Sequence, residues 1–366
     1  MWKMLRPDAI KAWKDPETVR RLSRYRDVID GKRWAKYLLA KDLPCDTRLD
    51  ESDQFLWAAH SELHHKFIAY VKHIDSGAQR QEPDELQRSF LDLKVELARR
   101  IIKDCHLCER RCGSDRTAGQ RGWCKLGEES RVSSAFLHTG EEPPLVPSGT
   151  IFFSSCCLAC AFCQNEDIST NPNSGRVISE QELALLAERL SQDGALNINY
   201  VGGDPVPNTH NIIGSLTYQT SNITQLWNSS MYGSSEAMAL IADLMDVWLP
   251  DFKYGNNECA KRLSGVERYF DIVSRNHLIA YQNGEVIIRH LVLPNHTVCC
   301  TFPILEWVSE NLPNCMVNIM AQYRPEHRVR RNPDDYRDIS RRVSNEEMRL
   351  AFERADELGI YWRTVS

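Results

Sequence analysis

Hydrophobic and polar residues follow two different periods along this chain. Over residues 16–40 and 84–102, apolar side chains recur at helical spacing between charged ones. We therefore expect residues 1–103 to form a helical layer. Its arginine and lysine side chains are more typical of a solvated face than of a binding patch.

Beyond residue 127, short apolar or β-branched runs alternate with helical patterns. This alternation predicts a parallel α/β barrel, closed or open, with its chemistry at the carboxyl ends of the strands. The strand candidates are 150–154, 197–203, 223–228, 247–253, 286–294 and 316–322.

Two helices of this region carry terminal signals in the sequence. Ser179 with Glu182, and Ser344 with Glu347, have the spacing of a capping box, in which each side chain bonds the other residue's backbone N–H. A glycine, at position 194 or 359, ends each pattern. Both segments are therefore predicted to be helices between strands.

Composition narrows the class of protein. Hydrophobic residues make up 42% of the chain and charged residues 26%, and the net charge of −5 provides no basic field for nucleic acid. The first residues lack the apolar core of a signal peptide, and no apolar run is long enough to span a bilayer. We expect a cytoplasmic protein without a membrane partner.

The chain has thirteen cysteines, of which eight lie between Cys105 and Cys163. In a reducing compartment such clustering indicates metal binding or catalysis rather than disulfides. The remaining five are scattered, and we interpret them as small buried apolar residues. These five are Cys45, Cys259, Cys299, Cys300 and Cys315.

Two ligand sets are possible in the stretch SSCCLACAFCQN at residues 154–165. Starting from Cys157, the spacing C-x₂-C-x₂-C begins a ferredoxin run, but Asp167 stands where the fourth cysteine is needed. Starting from Cys156, the set Cys156, Cys160 and Cys163 has the spacing C-x₃-C-x₂-C. Three thiolates can hold three irons of a [4Fe–4S] cluster and leave the fourth iron open. The alternative is a zinc loop with a distant fourth ligand.

This second spacing resembles the motif of the radical S-adenosylmethionine (SAM) superfamily. Residues 149–169 resemble in particular its branch related to pyruvate formate-lyase activating enzymes, where the motif reads S-G-C-N-L-x-C-x-[FY]-C-Q-N. Here Ser155 replaces the glycine, Cys157 the asparagine and Ala159 a basic residue, and none of these changes removes a ligand.

The resemblance extends to the ends of later strand candidates. It implies SAM-binding roles for Gly202, Gly203 and Asp204, for Asn228 and Ser230, and for Arg289. It also implies a D-x-K strand at Asp251 and Lys253, which strand alternation would point to the same side, toward the barrel mouth, as catalytic residues. A structural ion pair is the alternative for these two residues.

A second cysteine group precedes this motif. Cys105, Cys108, Cys112 and Cys124 lie in one loop with several glycines, and four thiolates satisfy a closed metal site. Zinc and an auxiliary iron–sulfur cluster are both chemically reasonable there. The spacing fits neither ferredoxin pattern in full, which favours a structural role.

Together the motifs predict an α/β fold: an incomplete (β/α)6 radical SAM barrel over residues 128–366, after a helical region at 1–103 and a cysteine-rich metal-binding segment at 104–127. The resemblance implies an oxidoreductase that cleaves SAM at a [4Fe–4S] cluster and abstracts hydrogen from its substrate.

The resemblance also implies partners. The candidate substrate is a glycyl residue of a partner glycyl radical enzyme, and the electron donor is a flavodoxin or ferredoxin. Two alternatives remain open: a radical SAM enzyme that modifies RNA or a small metabolite, and a non-enzymatic adaptor that binds zinc at both cysteine groups.

Overall fold

Six parallel strands form the centre of the fold. The computed structural model describes residues 5–80 and 88–366, and within them one sheet of eight strands has the order β3-β1-β2-β4-β5-β6-β7-β8. Strands β2 and β4 to β8 are mutually parallel, and the two ends of the sheet do not pair. The strands are β1 Ser130–His138, β2 Ser148–Phe153, β3 Arg176–Ile178, β4 Asn197–Gly202, β5 Thr224–Trp227, β6 Val247–Trp248, β7 Glu285–Leu291 and β8 Met316–Met320.

This architecture confirms the predicted incomplete (β/α)6 barrel, since each of the six strand candidates contains or overlaps a parallel strand. The sequence did not reveal β1 and β3, which pair antiparallel at the β2 edge. Strand β1 is half-exposed and contains three serines, so it lacks the apolar run by which the buried strands were found.

Helices cover the outer face of the barrel. The predicted capping boxes at Ser179 and Ser344 are both formed, and Gly194 and Gly359 follow their helices with left-handed backbone. The barrel-region helices are α7 Glu166–Ser169, α8 Glu180–Gln192, α9 Thr209–Leu216, α10 Ser235–Ala242, α11 Asn257–Ser264, α12 Tyr269–Asn283, α13 Phe302–Asn311, α14 His327–Arg331 and α15 Asn345–Glu357.

The predicted N-terminal helical layer is present in the described residues. Its helices are α1 Pro7–Ala12, α2 Pro16–Arg21, α3 Ser23–Ile29, α4 Lys36–Asp42, α5 Asp53–Asp75 and α6 Phe90–Ile101. Residues 1–4 and 81–87, which include the start of the predicted 84–102 tract, lie outside the described residues. One hydrophobic core runs through this layer and the barrel, so the two parts share their buried surface.

Between these parts, the cysteine-rich segment 105–124 lies against the barrel. Cys108 pairs with Gly233 in an isolated β-bridge, and the Glu109 backbone N–H donates to the Tyr232 carbonyl at 3.2 Å. No helix in the described part of the chain is both long enough and apolar enough to cross a membrane.

Candidate functional site

The carboxyl ends of the parallel strands surround one cavity. It is lined by the eight residues for which the resemblance implies SAM-binding or catalytic roles, and by the three cysteines of the 156–163 motif. These lining residues are Gly202, Gly203, Asp204, Asn228, Ser230, Asp251, Lys253, Arg289, Cys156, Cys160 and Cys163. The fold therefore brings together residues from the carboxyl ends of four strands, β4 to β7, and from the loop after β2.

Cys156, Cys160 and Cys163 lie between this cavity and a second one. The second cavity lies on the other side of the loop and is lined by Trp123 and Cys124 among others. Cys157 lines neither cavity and is fully buried. Of the two ligand sets left open by the spacing, only the one that starts at Cys156 has all its members facing free space.

Ser155 gives the loop its turn. Its φ of +73° is left-handed, a conformation that glycine adopts without a steric penalty. The Ser155 backbone N–H donates to the Ile168 carbonyl at 2.8 Å, and its hydroxyl donates to the Cys124 carbonyl. The serine therefore keeps the glycine-like turn and adds a bond to the cysteine-rich segment.

Each of the three cysteine sulfurs has a hydrogen-bonding neighbour. The Leu158 backbone N–H donates to Cys156 Sγ at 3.3 Å, Ser264 Oγ donates to Cys160 Sγ at 3.0 Å, and Ser169 Oγ lies 3.2 Å from Cys163 Sγ. Burial raises the pKa of Cys160 to about 12 and also raises the pKa of Cys163. Such thiols ionise when a metal binds, because the cation replaces the proton.

Cys157 contacts a different set of groups. Its Sγ lies 3.8 Å from Asp204 Oδ2 and 3.8 Å from Ser230 Oγ. Hydrogen bonding to Cys108 and Cys156, together with burial, raises its pKa well above the usual value. Cys157 is thus a buried neutral thiol packed between the cysteine-rich segment and the cavity wall.

Gly202 and Gly203 allow two backbone segments to touch. Gly202 has φ of +124°, and a Cβ there would overlap the Phe153 backbone. A Cβ on Gly203 would overlap the carbonyl oxygen of Ser155. The cysteine loop can occupy its position only because neither residue has a side chain.

Asp204, Asn228 and Ser230 provide polar groups on the cavity wall. Asp204 Oδ1 accepts from the Val206 backbone N–H at 2.9 Å, and its Oδ2 accepts from the Ser230 hydroxyl. Burial raises the pKa of Asp204. The Asn228 side chain is 4% exposed, and its Nδ2 has no hydrogen-bond acceptor in the structure. This unpaired donor is available to a ligand in the cavity.

Asp251 and Lys253 form an ion pair and line the same cavity. Burial opposes the charged form of Lys253, but the neighbouring Asp251 carboxylate and Cys160 sulfur outweigh it and raise the lysine pKa. The ion pair that the sequence offered as the alternative is thus present, both residues line the cavity, and their catalytic role stays a prediction.

Two acidic residues that sequence reasoning missed lie behind Arg289. Glu142 Oε1 is 3.4 Å from Arg289 Nε and accepts from Asn318 Nδ2 at 2.7 Å, and Glu141 Oε2 is 3.9 Å from Arg289 Nη1. Glu141 and Glu142 are about 95% buried. They orient the guanidinium toward the cavity. In the sequence the two residues form an acidic pair directly before two prolines, and nothing in that pattern points to Arg289.

The structure does not gather the second cysteine group into a compact metal shell. A Cβ on Gly122 would lie 3.1 Å from Cys112 Sγ and 3.6 Å from Cys124 Sγ, so these two sulfurs are near each other. However, the four sulfurs do not all lie within 4.8 Å of one another, the spacing that a single ion requires. A second metal at Cys105, Cys108, Cys112 and Cys124 therefore stays a prediction.

Arg116 is the charged residue of that segment that contacts a thiol. It is fully buried, and its Nη1 lies 3.8 Å from Cys105 Sγ and donates to the Pro207 carbonyl at 2.8 Å. Arg111 is instead exposed and pairs with Glu109 and Glu236.

A compact group of possible ligands forms elsewhere in the part of the chain that the structure describes. Cys259, His296, Cys299 and Cys300 have ligand atoms that all lie within 4.8 Å of one another. From the sequence, the three cysteines were interpreted as scattered, small buried apolar residues. That interpretation was wrong, because their sulfurs lie together beside one histidine and Cys299 is exposed. The sequence could not show this grouping, because Cys259 is 37 positions from His296 and the residues meet only in the folded chain.

The main cavity has donors suited to an iron–sulfur cluster and SAM. Three cysteines with no fourth thiolate on the cavity wall match a cluster with one open iron. Asn228 Nδ2, the Arg289 guanidinium and the Asp204 carboxylate match the polar ends of an amino acid and a ribose.

Comparisons with known proteins agree with this description. The family model described as "Radical SAM superfamily" matches residues 150–308, which contain the cysteine loop and β4 to β7. The curated protein MJ0674 of Methanocaldococcus jannaschii, whose name describes it as uncharacterized, is 42% identical over 347 residues, covering 93% of this chain and 98% of its own.

Two solved structures are similar to part of this chain. SuiB of Streptococcus suis bound to S-adenosylmethionine is 11% identical with a TM-score of 0.40, covering 57% of this chain and 47% of SuiB. QueE from Escherichia coli is 13% identical with a TM-score of 0.35, covering 64% of this chain and 92% of QueE. The chain thus spans about half the length of SuiB.

Proposed function

We propose a reaction for this chain on the premise that it belongs to the radical SAM superfamily through its domain at residues 150–308, and to one family with the MJ0674 protein. It is an enzyme that cleaves SAM reductively at a [4Fe–4S] cluster held by Cys156, Cys160 and Cys163. The observation that carries this proposal is that these three cysteines face the cavity at the strand ends and Cys157 does not.

When bound, the cluster and SAM supply an electron transfer that yields methionine and a 5′-deoxyadenosyl radical able to remove hydrogen from a substrate carbon. The protein's own contribution is to bind, orient and shield these groups.

The polar wall is suited to recognising SAM. Arg289, fixed from behind by Glu141 and Glu142, offers a guanidinium for a carboxylate. The Asp204 carboxylate suits an ammonium group, and Asn228 Nδ2 offers a donor to a ribose hydroxyl or carboxylate. Gly202 and Gly203 line the same wall.

Lys253 and Asp251 are proposed as the charged pair beside the reacting centre. The ammonium of Lys253 lies near Cys160 and favours negative charge on that sulfur. Holding a positive charge there compensates part of the charge that thiolates and sulfides bring to a buried site.

The rest of the cavity wall is suited to excluding water. Leu158, Phe162, Leu291 and Met320 line it between the polar groups. A radical intermediate survives only where solvent and other hydrogen donors are kept away, so an apolar lining serves the proposed chemistry.

We propose a backbone glycine of a partner glycyl radical enzyme as the substrate and a flavodoxin or ferredoxin as the electron donor. Support for both comes from the likeness of residues 154–165 to the activating-enzyme motif. The site suits the reducing cytoplasm, because all thirteen cysteines are free thiols.

The experiment is anaerobic iron–sulfur reconstitution followed by dithionite and SAM. Wild-type protein is expected to form 5′-deoxyadenosine above the level of a Cys160→Ala control. Equal formation in both refutes the proposed reaction, and a colourless protein that binds only zinc favours the adaptor alternative.

Substrate class is tested separately, by adding protein, RNA or metabolite fractions to the active enzyme. A rise in 5′-deoxyadenosine with the protein fraction alone, together with a glycyl radical signal in electron paramagnetic resonance, supports the partner-enzyme proposal. A rise with RNA or metabolites instead refutes it while leaving SAM cleavage intact.

A further inference from the structure

We propose that Cys259, His296, Cys299 and Cys300 bind one structural zinc ion, at a site separate from the SAM cavity. The four residues come from two places in the fold, the first turn of α11 and the segment between β7 and α13. None of them lines the main cavity. The inference goes beyond the proposed reaction and does not depend on it.

The distances between the donor atoms match one tetrahedral ion. His296 Nδ1 lies 3.5 Å from Cys259 Sγ, 3.3 Å from Cys299 Sγ and 3.7 Å from Cys300 Sγ. Cys299 Sγ lies 4.0 Å from Cys259 Sγ and 3.9 Å from Cys300 Sγ.

Ordinary zinc bond lengths predict nearly the same edges. With Zn–S of about 2.3 Å and Zn–N of about 2.0 Å, a regular tetrahedron has S···S edges of about 3.8 Å and N···S edges of about 3.5 Å. A [4Fe–4S] cluster would hold each ligand on a different iron and a [2Fe–2S] cluster only two ligands on each iron, so the four donor atoms would not all lie this close together. The geometry therefore favours a single ion over a cluster.

A carboxylate orients the histidine. His296 Nε2 lies 2.9 Å from Asp338 Oδ2, on the opposite side of the ring from the three sulfurs. An N–H donated to Asp338 leaves Nδ1 as the free acceptor, which is the tautomer that a metal ligand needs. Arg262 pairs with the same carboxylate and holds it in place.

Asn256 links the two segments that carry the ligands. Its Oδ1 accepts from the Cys259 backbone N–H at 2.8 Å as the N-cap of α11, and its Nδ2 donates to the Cys299 carbonyl at 2.8 Å. These two bonds from the Asn256 side chain hold the ligand-bearing segments together.

The donor set selects the metal and its role. Three thiolates and one imidazole favour zinc over magnesium or calcium, and four protein ligands leave no open position for catalysis. His296 and Cys300 are buried, and Cys299 is exposed.

The ion would fix a helix that touches the radical SAM loop. Helix α11 begins at the ligand segment and ends at Ser264, whose hydroxyl donates to Cys160 Sγ at 3.0 Å. The Ser264 carbonyl also accepts from the Ala159 backbone N–H at 2.9 Å. The proposed zinc therefore stabilises one wall of the cysteine loop from outside.

The first test measures zinc per chain by mass spectrometry on full-length protein. Cys259→Ser is expected to lose about one zinc relative to wild type, and Cys315→Ser, which changes a buried cysteine outside the group, is expected to lose none. Because the comparison is a difference, zinc held elsewhere in the chain does not affect it. Equal zinc in Cys259→Ser and wild type overturns the proposal.

A second variant keeps all four ligands and so guards against loss of folding. Asp338→Asn is expected to bind zinc about 10- to 100-fold more weakly in chelator competition, because the histidine loses its orienting carboxylate. Native alkylation gives an independent readout on the wild type. Cys299 is expected to react with iodoacetamide only after a chelator is added, and an equal rate without chelator contradicts a bound metal.

Discussion

Lys94 and Asp243 form an ion pair of 2.7 Å in which neither side chain is more than 1% exposed. Lys94 lies on α6 of the N-terminal layer, and Asp243 directly follows α10 of the barrel. His60 Nε2 lies 2.8 Å from the same ammonium, and His64 Nδ1 lies 2.8 Å from the carboxylate. The helical layer is therefore joined to the barrel by a buried polar network rather than by apolar contact alone.

Lys94→Met is expected to lower the free energy of unfolding by about 3–5 kcal/mol, because it leaves the Asp243 carboxylate buried without its cation. Urea denaturation measures the change. The matched control is Arg349→Met, which removes the exposed ion pairs to Glu346 and Glu353 and is expected to cost less than about 1 kcal/mol. A loss for Lys94→Met no larger than that of the control would show that the network does not stabilise the docked layer.

Gly203→Ala is expected to prevent the cysteine loop from retaining iron after reconstitution. The added methyl group would overlap the Ser155 carbonyl oxygen, and backbone must move to relieve the clash. Iron per chain and the visible absorption of the cluster report the result. Gly127→Ala is the control, since its Cβ would meet nothing closer than 3.9 Å. Full iron binding by Gly203→Ala would mean that the loop does not need this close approach.

Asn228→Ala is expected to weaken SAM binding by roughly fivefold, the equivalent of one hydrogen bond of about 1 kcal/mol. The Asn228 Nδ2 donor is buried on the cavity wall and has no protein acceptor, so it can donate to a ligand in the cavity. Equilibrium dialysis with labelled SAM on the reconstituted enzyme measures the dissociation constant. Asn211→Ala, at a buried asparagine outside the cavity, is expected to leave it unchanged. Equal SAM affinity in wild type and both variants would show that Asn228 does not contribute to SAM binding.

Ser264→Ala is expected to make the cluster harder to reduce. The Ser264 hydroxyl donates to Cys160 Sγ at 3.0 Å, and a donor to a cluster sulfur stabilises the more negative, reduced form. A redox titration followed by electron paramagnetic resonance should give a lower potential than wild type. Ser274→Ala changes a hydroxyl that bonds only helix carbonyls and should leave the potential unchanged. A higher potential in Ser264→Ala would reverse the proposed role of this bond.

The sequence could predict those features whose residues are close together in the chain. The strands buried on both faces contain short apolar or β-branched runs, and the cysteine loop is a short motif, so both were found from adjacent residues. Strand β1 was missed because half-exposed serines interrupt its pattern. The partners of Arg289, Glu141 and Glu142, lie nearly 150 positions away and meet it only after folding.

The cysteines outside the motif show the same limit. Cys259 is 37 positions from His296 in the chain, yet their side-chain atoms are 3.5 Å apart. No spacing rule connects a ligand on one helix to a loop two elements later. Conversely, the four cysteines of the 105–124 segment are close together in the sequence, and the structure does not bring all their sulfurs within the shell of one ion.

The choice between Cys156 and Cys157 can be measured directly. Cys156→Ala and Cys157→Ala are reconstituted anaerobically and assayed for iron content and for 5′-deoxyadenosine formed with dithionite and SAM. Cys157→Ala should retain its cluster and form 5′-deoxyadenosine, because the Cys157 sulfur is buried against Asp204 and Ser230 and faces neither cavity. Cys156→Ala should lose both. Loss in Cys157→Ala with retention in Cys156→Ala would contradict the ligand set on which the proposed reaction rests.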